Sequence, residues 1–352
     1  MKRKKRFLLW AMLVILSFSI YGCSSQVKKQ EITGVAMGTI VTQTVYVRER
    51  SKEDKTDITA QITNLLNDIE AQISWRLDTS DVSHINAAAG NAEGYELPED
   101  LAENFEVIWQ VSKASGGAFD LTVAPVVRLW DIDTWVMKEA EELSAEIIPT
   151  KEQIKDKLSV AGYEDVAFAD GKIYLPEGYM LDLGAAGKGM ACDRIVELLE
   201  SQEQGNAEVQ GAVISLGGNI LTYGSKPDGT AWKVGIVDPF RPDRYLGALT
   251  LSGTKFVTTS GDYERYVEID GVRYHHIIDP STGYPADSGV RSVTILSENG
   301  LIGDALSTAC FVLGREKALE LAKEYEVEIL IVTQDGEIVM SEGMEKVFSL
   351  SK

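Results

Sequence analysis

Asp304 and Thr308 stand one helical turn apart in Asp304-Ala305-Leu306-Ser307-Thr308, inside the apolar run Leu301–Leu313, which reads as a helix closed by Gly314. Residues four apart on a helix share a face, so a carboxylate and a hydroxyl point the same way. Two hard oxygens so placed suit Mg²⁺, which takes few protein ligands and fills its other positions with water and phosphate oxygens. An exposed acid beside a Thr bonded to the preceding turn has the same signature. His275 and His276 are neighbours on a predicted strand, where side chains alternate faces, so only one can enter a given site. They lead into the turn chemistry of Ile277–Pro285. Two of only three histidines beside a polar turn point to function, whereas His84 has no such context and reads as surface. Thr258–Arg265 is a second polar loop feeding the same hairpin; its Ser260 lacks the GxSxG elbow of a hydrolase nucleophile.

The stretch Leu181-Asp182-Leu183-Gly184-Ala185-Ala186-Gly187-Lys188-Gly189 offers another kind of chemistry. A β-rich run, Ile173–Leu175 and then Tyr179–Leu183, precedes it, and a helical pattern follows with Cys192, Ile195, Val196 and Leu199 on one face. Strand, glycine turn and helix start present backbone N–H groups and a positive helix end to an anion. Asp182 and Lys188 bracket the turn with opposite charges. The segment is neither GxGxxG nor GxxxxGK(S/T), and an ordinary strand-to-helix turn that needs Gly for packing fits the pattern as well.

The elements that must position these residues are mixed. Ile32–Val47 predicts strands broken at Met37-Gly38-Thr39. Asp57–Ile73 sets Ile58, Ile62, Leu65, Leu66, Ile69 and Ile73 on one helical face, then runs into Trp75-Arg76-Leu77-Asp78 and the polar stretch Ser80–Asn86. Pro98 opens a helix with Leu101, Phe105, Ile108 and Trp109 inward, and Gly116-Gly117 ends it. Asp131–Ile148 is acidic, weakly periodic and reads as a surface insertion, and Thr150 with Gln153 forms a capping box. From Val213 the chain is mostly β: Val213–Leu216, Trp232–Val237, Leu246–Leu251 and Val290–Leu296. Two hairpins join Tyr263–Ile269 to Val272–Ile278 across Asp270-Gly271, and Ile329–Val332 to Glu337–Met340 across Asp335-Gly336. Helices and antiparallel hairpins without strict alternation predict the α+β class, one mixed domain of mainly antiparallel sheets and packed helices.

A net charge of −20 argues against a nucleic-acid partner. The cations Lys2–Arg6 precede the apolar run Phe7–Ile20, the charged and hydrophobic regions of a leader, and the run is short for a membrane span. Ile20-Tyr21-Gly22-Cys23 resembles a bacterial lipobox, with Tyr21 unusual in it. That resemblance implies a lipoprotein signal peptide over 1–22, acylation of Cys23, a polar tether over 23–30, and attachment to the extracytoplasmic face of the cell membrane. A plain signal peptide or an uncleaved anchor are the alternatives. Cys192 and Cys310 fall on predicted apolar helix faces and read as buried free thiols; no CxxC is present, which disfavours zinc and thioredoxin chemistry.

Taken in order, Met37-Gly38-Thr39, Gly117-Ala118-Phe119-Asp120, Asp182-Leu183-Gly184 with Lys188-Gly189, Leu216-Gly217-Gly218-Asn219, Thr259-Ser260-Gly261-Asp262-Tyr263, His276-Ile277-Ile278-Asp279-Pro280 with Thr282-Gly283, and Asp304–Thr308 resemble the ApbE family of FAD:protein FMN transferases. The resemblance covers about residues 31–350 and implies an ApbE-type, T-fold-like transferase domain over 31–352. It implies FAD bound in a cleft as substrate, Mg²⁺ on its pyrophosphate, and transfer of FMN to a Thr or Ser hydroxyl of an acceptor flavoprotein with release of AMP. By position, the metal ligands fall on the Ala185 carbonyl, Asp304 and Thr308. Flavin-nucleotide contacts fall on Met37, Trp75, Ala118, Phe119, Asp120, Asp182, Lys188, His276 and Ile277. His276 and Asp304 fall at catalytic positions, with His276 the candidate base and Asp262 or Asp279 its alternatives. The chain departs from the common pattern at Ala185-Ala186-Gly187-Lys188 (Gly-Ile-Ala-Lys), Ser281 (Arg), Gly303 (Ala) and Leu121 (Pro). The same constellation serves two other readings: a Mg²⁺-dependent pyrophosphatase splitting FAD to FMN and AMP, or a flavin-binding lipoprotein without turnover.

Overall fold

The computed structural model describes residues 27–49, 56–139, 143–202 and 207–351. The leader and Cys23 lie outside them. The tether expectation is corrected in part, because Val27–Gln30 already belongs to the first strand, and Gln30 ties it to the first helix by accepting from the Ile58 N–H at 2.9 Å.

An eight-stranded antiparallel sheet organises the chain, in the order β1 (Val27–Ala36), β2 (Thr39–Glu49), β6 (Ala207–Leu216), β7 (Asn219–Gly224), β10 (Lys255–Gly261), β13 (Val290–Ser297), β14 (Glu328–Thr333), β15 (Ile338–Met340). A small sheet of β3 (Tyr95–Glu96), β5 (Lys172–Tyr174) and β4 (Ala167–Ala169) stands apart. A third, with order β16 (Phe348–Leu350), β9 (Arg241–Leu251), β8 (Trp232–Asp238), lies on one face of the large sheet. The hairpin β11 (Tyr266–Ile269) and β12 (Val272–His275) is shorter than the sequence predicts, but turns where expected: Asp270 and Gly271 have φ of 51° and 77°, as a tight two-residue turn needs.

Helices cover the other face of the large sheet: α1 (Ile58–Ile73), α7 (Gly187–Ser201), α8 (Gly300–Leu313) and α9 (Arg315–Glu324), with α3 (Glu99–Ala114) packed on α8. The remaining helices are α2 (Asp81–Ala87), α4 (Ala124–Trp130), α5 (Ile132–Val136), α6 (Lys151–Leu158) and α10 (Glu342–Val347). A sheet covered on both faces needs apolar residues on both. β14 supplies them as a continuous run, with Ile329 and Ile331 toward the helices and Leu330 and Val332 toward β8 and β9. The α+β expectation with mainly antiparallel sheets holds.

Two local readings change, and one polar stretch gains an assignment. Tyr179–Leu183 forms no strand; the Asn86 amide instead accepts from the Leu181 N–H at 2.7 Å and donates to its carbonyl at 3.0 Å, doing what a neighbouring strand would do. The polar stretch Ser80–Asn86 supplies most of α2, capped by the Ser80 hydroxyl accepting from the Ser83 N–H. Asp131–Ile148 is not all surface: α5 buries Ile132 and Trp135 beside Trp130. The sequence reading also missed α10 and β16.

α7 and α8 cap each other. Asp193 on α7 accepts from the Gly300 and Leu301 N–H groups that open α8, at 2.7 and 2.8 Å. Asp304 on α8 accepts from the Gly189 N–H in the first turn of α7 at 2.8 Å. Such orphan donors are otherwise unsatisfied at helix starts, and each cap contributes about 0.5–2 kcal/mol. The exchange requires near contact of the two backbones: a Cβ on Gly189 would lie 2.3 Å from the Gly300 carbonyl oxygen, and one on Gly300 2.5 Å from the Gly189 oxygen. Gly189→Ala is therefore expected to lower unfolding free energy by about 1–3 kcal/mol in urea titration. Gly34→Ala, where a Cβ meets nothing within 4 Å, is expected to leave the midpoint unchanged or slightly raised.

Candidate active site

A cavity of about 1500 Å³ opens at the end of the large sheet, where the β1–β2 and β6–β7 turns meet the start of α7. Every residue that the sequence placed at a nucleotide or metal position lines it: Met37, Trp75, Ala118, Phe119, Asp120, Asp182, Ala185, Lys188, His276, Ile277, Asp304 and Thr308. These positions span most of the chain, and the fold brings them to one place.

Met37 sits at the hairpin tip with φ of 52°, a conformation that costs a non-glycine residue about 1–2 kcal/mol. Its N–H is held by Glu70 Oε2 at 2.7 Å. Trp75, just beyond α1, has the Arg76 guanidinium 4.3 Å and the Arg128 guanidinium 4.8 Å from its ring centre. Asp120 is committed locally. Its Oδ1 accepts from the Thr122 N–H and hydroxyl, and its Oδ2 accepts from the Tyr163 N–H at 2.9 Å. Burial pushes its carboxyl above the usual carboxylate range against those bonds. Asp120 therefore shapes the turn that presents Ala118 and Phe119. Asp182 does likewise for the glycine turn, accepting from the Gly184 N–H at 2.8 Å, with burial again raising its pKa.

The opposite corner is built on the α7–α8 contact. With Asp304 Oδ2 held by Gly189, Oδ1 turns toward Lys188, whose Nζ lies 3.9 Å away. The Lys188 ion partner is thus Asp304 and not Asp182. Thr308, one turn along α8, has the Ser260 hydroxyl at 3.4 Å, while Ser260 pairs with the Ser307 hydroxyl at 2.8 Å. Ser260 has no histidine partner, in line with the sequence reading. Gly303 suits its place, since a Cβ there would meet Ser297 Oγ at 2.5 Å. Among the described residues, no three His, Cys, Asp or Glu side chains cluster as a metal site. A carboxylate, a hydroxyl and a main-chain carbonyl would supply oxygens without such a cluster.

The two histidines part as alternation demands. His275 is buried, with Nε2 donating to the Ala286 carbonyl at 3.0 Å and Nδ1 accepting from the Ile277 N–H, and burial lowers its pKa to about 4. His276 faces the cavity. Its Nδ1 lies 3.3 Å from the Arg265 carbonyl, which can only accept, so Nδ1 carries the proton and Nε2 keeps a free lone pair. Desolvation, with Arg265, His275 and Lys188 adding to it, holds its pKa well below 6.5. The alternative bases are placed otherwise. Asp262 is buried between Arg291 at 2.8 Å and Arg273 at 3.5 Å, and Asp279 accepts from the Ser281 N–H and hydroxyl.

The sequence reading missed one wall. Asp133 of α5 bridges Arg76 at 2.9 Å and Arg265 at 2.8 Å across the cavity mouth. Trp135 two residues on, an aromatic inside an acidic stretch, was the signal that this segment packs.

Residues 37–331 match the model of the ApbE family. The chain is similar to the FAD:protein FMN transferase of Treponema pallidum, 32% identical over 351 residues that cover 94% of this chain and 92% of that one. It is similar to the enzyme of the same name from Vibrio cholerae, at 28% over 331 residues, 93% of this chain and 95% of that one. The crystal structure of the ApbE protein of Thermotoga maritima superposes with a TM-score of 0.78 at 33% identity, covering 91% of this chain and 99% of that one. The flavin transferase ApbE from Vibrio cholerae gives 0.76 at 26%, covering 92% and 100%. With its motifs gathered around one cavity and its whole body matched in sequence and fold, the chain belongs to the ApbE family.

Proposed function

We propose that this protein transfers FMN from FAD to a Thr or Ser hydroxyl of an acceptor flavoprotein and releases AMP, with Mg²⁺ bound by the Ala185 carbonyl, Asp304 and Thr308. The observation that carries the reading is the corner where Asp304, Lys188, Thr308 and His276 line one cavity. Its donors are hard oxygens, and Asp304 offers one oxygen while α7 fixes the other, which suits Mg²⁺. When bound, Mg²⁺ supplies charge neutralisation on the pyrophosphate.

The chain's own residues do the remaining work. Trp75, the Ala118–Phe119 turn and Met37 hold the nucleotide, and Lys188 brings a positive charge to its phosphates. His276 Nε2 accepts the proton of the acceptor hydroxyl. The hydroxyl oxygen bonds to the phosphorus on the FMN side, the anhydride P–O bond breaks, and its electron pair leaves with AMP. By the lipobox reading, the protein works on the extracytoplasmic face of the membrane, anchored through Cys23.

The direct test incubates the chain from Ser24 onward with FAD, Mg²⁺ and a flavin-free acceptor domain, and follows acceptor mass and AMP. An FMN adduct with equimolar AMP is expected; AMP formed at full rate without adduct would move the assignment to FAD hydrolysis. Asp304→Asn keeps an oxygen for the Gly189 N–H but removes the charge. It is expected to cut transfer by about 10²–10³-fold with an unchanged melting temperature, and an active variant would remove Asp304 from the ligand set. His276 titrates below the ordinary histidine range, so it stays a competent base as pH falls through 6.5. The acid limb of kcat/KM for acceptor is expected well below pH 6.5 and absent from His276→Ala; a limb at 6.5 or above would exclude it as the base.

A further inference from the structure

The cavity continues past the catalytic corner. It passes the Gly217–Gly218 turn and enters a lobe between the far face of the large sheet and the β8–β9 hairpin. Val234, Gly235, Ile236 and Val237 of β8 all line that lobe. Side chains of a strand alternate between faces, so four consecutive residues meet a cavity through their backbone edge. β8 is the last strand of its sheet, with β9 on one side and no strand on the other among the described residues. A row of unpaired N–H and C=O groups is a template for one more strand. Ile220 and Val257 give the lobe an apolar floor. Its rim is the Tyr245 ring, 64% exposed and packed on Gly235, where a Cβ would come within 2.7 Å of it.

The Gly217–Gly218 turn lines the stretch of cavity that joins this lobe to the catalytic corner. Gly217 has φ of 52°, and a Cβ on it would meet Thr39 Oγ1 at 2.0 Å; Gly218 has φ of 101° with Glu264 Oε1 at 3.3 Å. The turn packs against Thr39, and its bare backbone forms the cavity wall between the β8 edge and the Lys188–Asp304 corner.

We infer that β8 is the docking edge for the acceptor: an extended acceptor segment adds to it as an antiparallel or parallel strand, sets apolar side chains against Ile220 and Tyr245, and delivers its hydroxyl past Gly217–Gly218 to the catalytic corner. The inference rests on the proposed transfer to a protein hydroxyl. Backbone pairing supplies affinity for any extended chain, and the side-chain contacts at alternate positions supply selectivity.

Hydrogen exchange by mass spectrometry tests it on the FAD-loaded enzyme. The probe is a flavin-free domain of a flavoprotein whose FMN is normally linked to Thr, with that Thr changed to Val so that the complex does not turn over. The acceptor is expected to slow exchange in Trp232–Asp238, and FAD alone to leave it unchanged. Tyr245→Ala is expected to raise KM for the unaltered acceptor about tenfold, the loss of an aromatic anchor, with FAD binding and kcat retained. If wild-type enzyme transfers FMN while the acceptor leaves β8 exchange unchanged, if FAD alone slows it, or if Tyr245→Ala leaves KM unchanged, the docking edge is overturned. If wild-type enzyme transfers no FMN, the functional reading itself falls.

Discussion

The rest of the structure depends on two helix starts satisfying one another. α7 gives its Gly189 N–H to Asp304, and α8 gives its Gly300 and Leu301 N–H groups to Asp193. The exchange works only with glycines at the crossing, because any Cβ at Gly189 or Gly300 would occupy the other backbone's space. It also defines the site. The positive end of α7, which alone would be a generic anion nest, faces an internal carboxylate. That carboxylate keeps one oxygen for the helix and one for the cavity. A single backbone approach thus joins fold stability to the placement of the Asp304 carboxylate in the cavity wall.

Much of this was legible in the sequence, for reasons that differ by residue. The helix over 58–73, the Thr150–Gln153 capping box and the Asp270-Gly271 turn follow from local periodicity and turn chemistry, and each stands where the spacing put it. That these positions gather around one cavity was legible through the order of motifs: no one of Met37-Gly38-Thr39, Ala118-Phe119-Asp120 or Asp304–Thr308 is specific alone. What stayed hidden was set by partners far along the chain. Leu181 reads as strand because it is apolar and extended, yet its neighbour is the Asn86 side chain, 95 residues away. Asp133 reads as surface because its partners, Arg76 and Arg265, lie 57 and 132 residues away. Asp120 reads only as a ligand contact, and its bonds to Thr122 and to Tyr163, 43 residues away, show a second role in holding the turn.

The cavity's position follows from sheet geometry. Side chains pack most of both faces of the large sheet among the described residues, and the cavity opens at its end, beside the Met37-Gly38 and Gly217-Gly218 turns, before it reaches the β8–β9 side. The site can therefore draw on the helix layer for charge and on the β8–β9 side for apolar surface.

Cys192 and Cys310 lie inside the helix layer, one on α7 and one on α8, and neither is disulfide-bonded. Burial pushes both thiols far up, Cys310 to about 12, so almost no thiolate exists in the closed state. Chemistry at sulfur then becomes a clock for motion: a thiol reagent can act only in the moments when these helices part from the sheet. Because the two sulfurs sit on the two helices that cap each other, their labelling rates report whether that pair opens as one cooperative unit or comes apart one helix at a time.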